Sequence, residues 1–241
     1  ALKKNKKIRS ITIFTTLPQR YGYMEGALKV ENQIDTKIIR FYTPQHNNSF
    51  IRQLFSYFFF FFSSLMTAYS EKKNFDCVFA TSSRLGTGIL GYVISKVFAA
   101  SLYLDIRDIF SDSIRSLKLF NGNIGKLLES LLKRVEVIIM KHATWLNFVS
   151  PGFVTYDHIK KLNLSTKMFT NGIDDIFIQN NTLDKSPAYK KNKIKIMYAG
   201  NIGLGQGLEL VVIPLAKYFK DKVEFQLIGD GSSVNLIKTG I

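Results

Sequence analysis

The sequence predicts an α/β protein: a Rossmann-like, doubly wound parallel sheet followed by an incomplete second domain of the same kind. Short β-branched or apolar runs alternate with longer amphipathic stretches along most of the chain, as strands joined by crossover helices do. Glycine-rich or charged turns follow the strands, where α/β sheets bind ligands. A composition shift to Asn, Lys, Thr and Pro over residues 179–192 divides two such series. The expected organisation is therefore a first domain over 1–178, a linker over 179–192 and a partial second domain over 193–241.

Residues 8–15 alternate and are β-branched, as a first strand should be, and Leu17-Pro18 ends it. A helix from Tyr23 is expected to lead to a strand over 36–42, with a polar loop over 43–49 behind it. The aromatic run over 54–68 lies within a helix of about 20 residues. Residues 76–81 read as a compact buried strand, 86–99 as a helix and 101–106 as the next strand. A long helix with one apolar face covers 124–142, followed by a strand over 145–149 that Ser150-Pro151-Gly152 closes before another helix. A short strand over 167–170 ends at Asn171-Gly172. Beyond the linker come a strand over 194–199, a helix over 208–219 and a strand over 223–228, which ends in Gly229-Asp230-Gly231.

At 241 residues the chain can form one large domain or two small ones, and its 46% hydrophobic content supplies a real core. The one cysteine, Cys77, excludes an intramolecular disulfide; its apolar neighbours predict a buried, inert thiol. His46, His142 and His158 lie far apart with no metal-ligand spacing, so no metal site is expected. No G-x-S-x-G elbow suggests a serine hydrolase.

The formal net charge is +15, a balance that favours polyanions. The basic residues are scattered, and no RNP1-like sequence, paired zinc fingers or basic zipper accompanies them, so nucleic acid is not the expected partner. An anionic membrane surface or a phosphorylated substrate fits better, beside the plainer reading of solvated surface lysines. The aromatic run is shorter than the ~20 residues of a spanning helix and contains hydroxyl residues. It fits a core helix or an interfacial one with aromatic anchors, and the two roles can share one helix on opposite sides.

The turn Gly200-x-x-Gly203-x-Gly205-x-Gly207 lies between a strand and a helix. Glycines there let a backbone approach a ligand, and the helix N-terminus offers free N–H groups to a phosphate. The spacing is neither the dinucleotide pattern nor a Walker A loop. A tight turn in a parallel sheet is the alternative.

Taken in order, several segments resemble the glycosyltransferase 4 family of nucleotide-sugar-dependent enzymes with a GT-B fold. They are Thr16-Leu-Pro-Gln-Arg-Tyr21, Thr81-Ser-Ser83, Asp105-Ile-Arg-Asp-Ile109, Val149-Ser-Pro-Gly-Phe153, Thr170-Asn-Gly-Ile-Asp174, Tyr198-Ala-Gly-Asn-Ile-Gly203 and Ile228-Gly-Asp-Gly231. Within the family they are most similar to bacterial O-antigen and capsule transferases of the N-acetyl-fucosamine type. The resemblance implies a retaining, metal-independent transfer from a nucleotide-sugar donor, a UDP-sugar, to a polyprenyl-diphosphate-linked glycan acceptor. It also implies a cytoplasmic protein held peripherally at the inner membrane, with no cofactor.

By the same resemblance the donor diphosphate sits on Gly200, Asn201, Gly203, Gly205, Gln206 and Gly207, with Gly229, Asp230 and Gly231 beside it. Asn201 and Gln206 stand where many relatives carry Arg and Lys, which leaves the charge stabilisation to backbone donors and the helix dipole. Arg107 and Asp108 stand where many relatives carry His-Asp near the reacting sugar, and are the catalytic candidates; a structural Arg–Asp pair at a strand end is the alternative. Arg20 and Tyr21 fall on the acceptor side, where a plain surface loop is the alternative. The family's downstream pair of glutamates would lie beyond Ile241, so the chain is expected to be a truncated transferase. A rival expectation is a non-catalytic subunit that binds membrane or acceptor and takes its donor half from a partner.

Overall fold

The computed structural model describes residues 7–18, 26–44, 50–71, 75–82, 85–109, 111, 123–162, 164, 166–173, 175, 178, 193–203 and 206–241. Its backbone divides into two compact units, Ala1–Gly172 and Ile173–Ile241. The expected linker over 179–192 lies outside the described residues.

In the first unit, β1 (Ile11–Thr16) pairs in parallel with β3 (Thr36–Phe41), and β2 (Val30–Gln33) runs antiparallel to β3. The expected helix from Tyr23 is thus replaced, over its described part, by one arm of a hairpin. The hairpin turns at Ile34 and Asp35, without an Asn-Gly or Asp-Gly signal, and Ile34 is fully exposed. Arg40 ties the arms together by donating to Glu31 at 2.8 Å and to the Leu28 carbonyl at 2.9 Å.

A second sheet follows in sequential order: β4 (Cys77–Ser82), β5 (Ser101–Ile106), β6 (Trp145–Phe148) and β7 (Thr166–Lys167). Every pairing in it is parallel. The parallel α/β expectation holds here, but β1–β3 form a separate, mixed sheet. Helices α1 (Phe50–Ser70), α2 (Leu85–Val97) and α3 (Asn123–His142) make a layer, with α2 packed against both neighbours. The short α4 (Asp157–Lys160) comes after a single 3-10 turn at Pro151–Thr155, which Ser150 caps through Gly152 N–H.

The core gathers where α2 and α3 cover β5 and β6. Leu102, Leu104, Ile106, Leu146 and Phe148 meet Leu85, Ile139 and Met140 there. Each such side chain contributes roughly 1.5–3 kcal/mol through burial. Gly91 lets α2 approach β4 closely, since a Cβ there would collide with that of Ala80. Tyr57 of α1 donates to the Gly86 carbonyl at 2.6 Å, and burial raises its hydroxyl pKa well above the usual value.

The opposite face of this sheet carries Phe79, Tyr103 and Trp145 on three neighbouring strands, with Phe79 and Trp145 about half exposed. Cys77 shares that face and is exposed, contrary to the buried thiol expected from its apolar neighbours. The strand alternates, and Cys77 falls on its outward side. Desolvation of the sulfur and, less, the Asp76 charge still raise the thiol pKa, which disfavours the thiolate.

The second unit contains β8 (Ile194–Ala199) and β9 (Val223–Ile228), paired in parallel, with α5 (Leu208–Phe219) and α6 (Val234–Gly240). Ile202, Val212 and Ile237 form its small core. β8 leaves Ile194, Ile196 and Met197 exposed, as expected for two strands that cannot bury both faces. Helix α6 was not anticipated from the sequence.

Candidate functional site

The strands of the second sheet are parallel, so their carboxyl ends lie along one edge, where an α/β sheet offers backbone groups and loops to ligands. Two of the sequence-predicted residues, Arg107 and Asp108, stand on that edge immediately after β5. The Arg107 N–H extends the ladder by donating to Ser82 O at 3.1 Å, and Val149 N–H donates to Ile106 O at 3.2 Å on the other side. The peptide that leads into Arg107 is therefore held by sheet geometry on both sides.

Its side chain is held as firmly. Arg107 Nε donates to Asp105 Oδ2 at 3.0 Å, and Nη1 donates to Asn171 Oδ1 at 3.1 Å. Asp105 is 5% exposed and sits at the centre of the network. It also accepts from Thr81 Oγ1 at 3.2 Å and from Asn147 Nδ2 at 2.6 Å. Asn147 grips the chain after β7 twice: its Oδ1 accepts from Phe169 N–H at 2.6 Å, and its Nδ2 donates to Phe169 O at 3.2 Å. Four chain segments thus join one network, in which Asp105 and Asn171 hold the guanidinium directly. Its Nη2 makes no hydrogen bond to the described residues, and the Arg107 side chain is 46% exposed. The arrangement presents a fixed, half-exposed cation with donors free for an anion.

Asp108 is exposed and lines a small cleft with Ser82, Ile106 and Glu136. Glu136 is buried on the inner side of α3, where its carboxylate accepts from Ser111 N–H at 3.0 Å and from Ser111 Oγ at 2.5 Å. His158 Nε2 lies 3.6 Å from it. Arg107 and Asp108 both belong to this edge, but Arg107 pairs with Asp105 instead of Asp108. Asp108 is left facing the cleft.

Sequence reasoning missed Asp105, Asn147 and Glu136. The signal was legible in retrospect: Asp105 and Asn147 interrupt otherwise apolar strands at paired positions, and Glu136 lies on the apolar face of α3. A polar group in such a place needs partners. Asn171, expected only to end the short strand over 167–170, also orients Arg107. Arg20 and Tyr21 lie outside the described residues.

The glycine-rich turns form a separate cluster in the second unit. The turn after β8 and the turn after β9 continue the β8–β9 ladder past its end. Gly200 N–H donates to Ile228 O, Ile202 N–H to Asp230 O and Ser233 N–H to Ile202 O, each at 2.9 Å. This interlocking explains three glycines. Gly229 has φ 147°, and a Cβ there would run into Gly200 O; one on Gly231 would meet Ile202 O. Gly200 has φ 157° and abuts the Tyr198 ring. Gly229 and Gly231 need glycine for backbone contact between the turns, and Gly200 for its φ beside the Tyr198 ring, whatever ligand they serve.

Gly203 and Gly207 are placed differently. Gly207 caps α5 in the left-handed region, at φ 61°. Gly203 N–H donates to Gln206 Oε1 at 3.2 Å, and Asn201 Nδ2 donates to the same oxygen at 2.9 Å. The Gln206 carbonyl therefore sits on donors of the kind a phosphate oxygen would use. Asp230 Oδ1 accepts from the Gly231 N–H at 2.7 Å. Gly205 lies outside the described residues. Among the described residues no cluster of His, Cys, Asp and Glu is arranged to hold a metal ion.

Compared with protein-family models and with curated proteins, the chain finds no match.

Proposed function

We propose that the chain is a membrane-peripheral glycosyltransferase of the GT-B type, similar to family 4, with its second, smaller α/β unit as the donor side. It transfers a sugar from a nucleotide-sugar, a UDP-sugar, to a polyprenyl-diphosphate-linked glycan in bacterial surface polysaccharide synthesis, at the cytoplasmic side of the inner membrane. The observation that carries the reading is Arg107: a cation fixed by Asp105 and Asn171 at the carboxyl edge of an all-parallel sheet, with donors to spare.

In this reading Arg107 binds a phosphate or sugar hydroxyl near the reacting centre, and Asp108 orients the group beside it. The donor diphosphate lies on Asn201, Gly203, Gly205, Gln206 and Gly207, against the N-terminus of α5, with Gly200 and the turn Gly229, Asp230 and Gly231 shaping its rim. Backbone N–H groups and the helix dipole offset the charge that develops as the nucleoside diphosphate leaves. Neither a metal nor a cofactor is required by this scheme.

The test is transfer from a labelled UDP-sugar or GDP-sugar to a detergent-dispersed polyprenyl-diphosphate-linked acceptor. Arg107→Ala should lower kcat/KM by roughly 10²–10³, the loss typical of a group that stabilises developing charge. Transfer unaffected by that change would overturn the assignment of Arg107.

The second reading, a non-catalytic subunit that binds acceptor or membrane and takes its donor half from a partner, draws on two observations. The β8–β9 sheet leaves apolar residues uncovered, and Gln206 already occupies the Gly203 donor. Binding of the lipid-linked acceptor by a folded chain that neither binds nucleotide nor turns over would favour it.

A further inference from the structure

The outer face of the three-helix layer is apolar and cationic together. On α1, Phe55, Phe58, Phe59, Phe62, Met66 and Tyr69 recur at helical spacing on the side away from the core, each between 46% and 73% exposed. The inner side of the same helix carries Ser64 and Ala68, both fully buried. On α3, Ile124, Leu127, Leu131 and Ile138 form a second stripe, 54–74% exposed. Helix α2 lies between the two. Its Leu90 and Ile94 cluster with Ala68 of α1, and Ser95 and Tyr92 meet His142 of α3. The outward side of α2 ends in Lys96 and the exposed Val97.

The exposed charges of these helices are of one sign. Arg52, Lys96, Lys126, Arg134 and Lys141 are exposed. The acidic residues of the three helices are Glu129, which pairs with Lys133 at 2.6 Å, and Glu136, which is buried. No carboxylate among the described residues of these helices is exposed.

We propose that this layer is a docking surface for an anionic lipid bilayer, on which it lies flat with its Phe, Leu and Ile side chains in the interface and its lysines and arginines among the headgroups. Charge and shape select this occupant. A second copy would bring two all-cationic faces together and leave their repulsion unrelieved. An anionic bilayer neutralises the cations and receives the apolar stripes at once. No described helix is long and apolar enough to cross a membrane, so the helices rest on the interface instead of spanning it. This deepens the membrane-peripheral part of the proposed function and rests on that part alone; it does not depend on sugar transfer.

The test is sedimentation of the full chain with vesicles of phosphatidylglycerol and phosphatidylcholine in equal parts, and with phosphatidylcholine alone. Binding should require the anionic lipid and weaken as salt rises. Leu131→Glu and Phe62→Glu should each weaken it by at least about tenfold, because a charge replaces an apolar group that enters the bilayer interface. Arg134→Ser and Lys141→Ser should each cost about fivefold and flatten the salt dependence. Met197→Glu, an equal change on the second unit, should leave binding intact. Circular dichroism selects the folded variants, and Leu127→Gln replaces any glutamate variant that fails to fold.

Failure of the wild type to sediment with anionic vesicles would overturn the proposal, as would unaltered binding by the α1 and α3 variants. A wild-type dimer in sedimentation equilibrium that Leu131→Glu dissociates would overturn it in favour of a second copy. Vesicle binding without nucleotide binding would leave the docking surface standing and count only against the transferase reading.

Discussion

Asp105 is buried, and its partners are a strand hydroxyl, a strand amide and the half-exposed guanidinium of Arg107. Such a carboxylate orients the cation and at the same time lowers the cost of its own burial. Asn147 matters here through both ends of its amide, since it supports Asp105 and fixes the backbone at Phe169. Replacing Asn147 with Ala leaves those buried groups without partners and should destabilise the chain by roughly 1–3 kcal/mol. Asn171 is exposed and holds Arg107 through a single bond, so Asn171→Ala should cost no more than about 0.5 kcal/mol. Urea unfolding of the two variants measures the contrast. Equal losses would mean that the network is surface decoration.

At the scale of elements, much of the architecture was legible. β5 matches its expected span, and β8, β9 and α5 follow the punctuation of glycines and apolar runs. These elements carry a clear period and lie in parallel pairs whose buried faces leave little freedom. The hairpin of β2 and β3 was not legible, because its turn lacks the residues that announce one and β2 has no buried residue to give it a pattern. Cys77 was misread for a related reason: an apolar run does not reveal which side of an edge strand faces solvent. At the site, Arg107 and Asp108 stood out through the family resemblance, at a place just after a strand. Asp105 and Asn147 did not, because their importance lies in a cross-strand pairing whose one local trace is a polar residue in each of two apolar strands.

The contact between α2 and α3 carries a pH dependence. His142 Nε2 lies 3.1 Å from Ser95 Oγ, and its ring packs edge-on against Tyr92 at 4.9 Å. Desolvation first, and the Lys96 charge second, lower its pKa below the ordinary 6.5. The unfolded chain therefore binds a proton at this position before the folded chain does. The stability from neutral His142 is fully present above pH ~6.5 and is lost as pH falls through the lowered folded value. Urea midpoints between pH 8 and 5 should drop more for the wild type than for His142→Gln, which keeps a polar group beside Ser95. Parallel curves for the two proteins would contradict this.

On the scale of the whole molecule, the +15 charge, the cationic edge at Arg107 and the glycine turns of the second unit all favour anionic ligands. The donor turn offers a sharp variant for separating specific binding from general attraction. A Cβ at Gly203 would meet the flexible side chains of Asn201 and Gln206, whereas one at Gly229 would strike backbone. Gly203→Ala should therefore perturb a ligand on the turn while preserving the fold. The most direct measurement is calorimetric titration of the purified chain with UDP, GDP and a UDP-sugar, beside the same titrations of Gly203→Ala. The account predicts saturable binding of UDP and the UDP-sugar in preference to GDP, weakened in the variant. A folded chain that binds none of the three, or binds them all equally and regardless of Gly203, would contradict it.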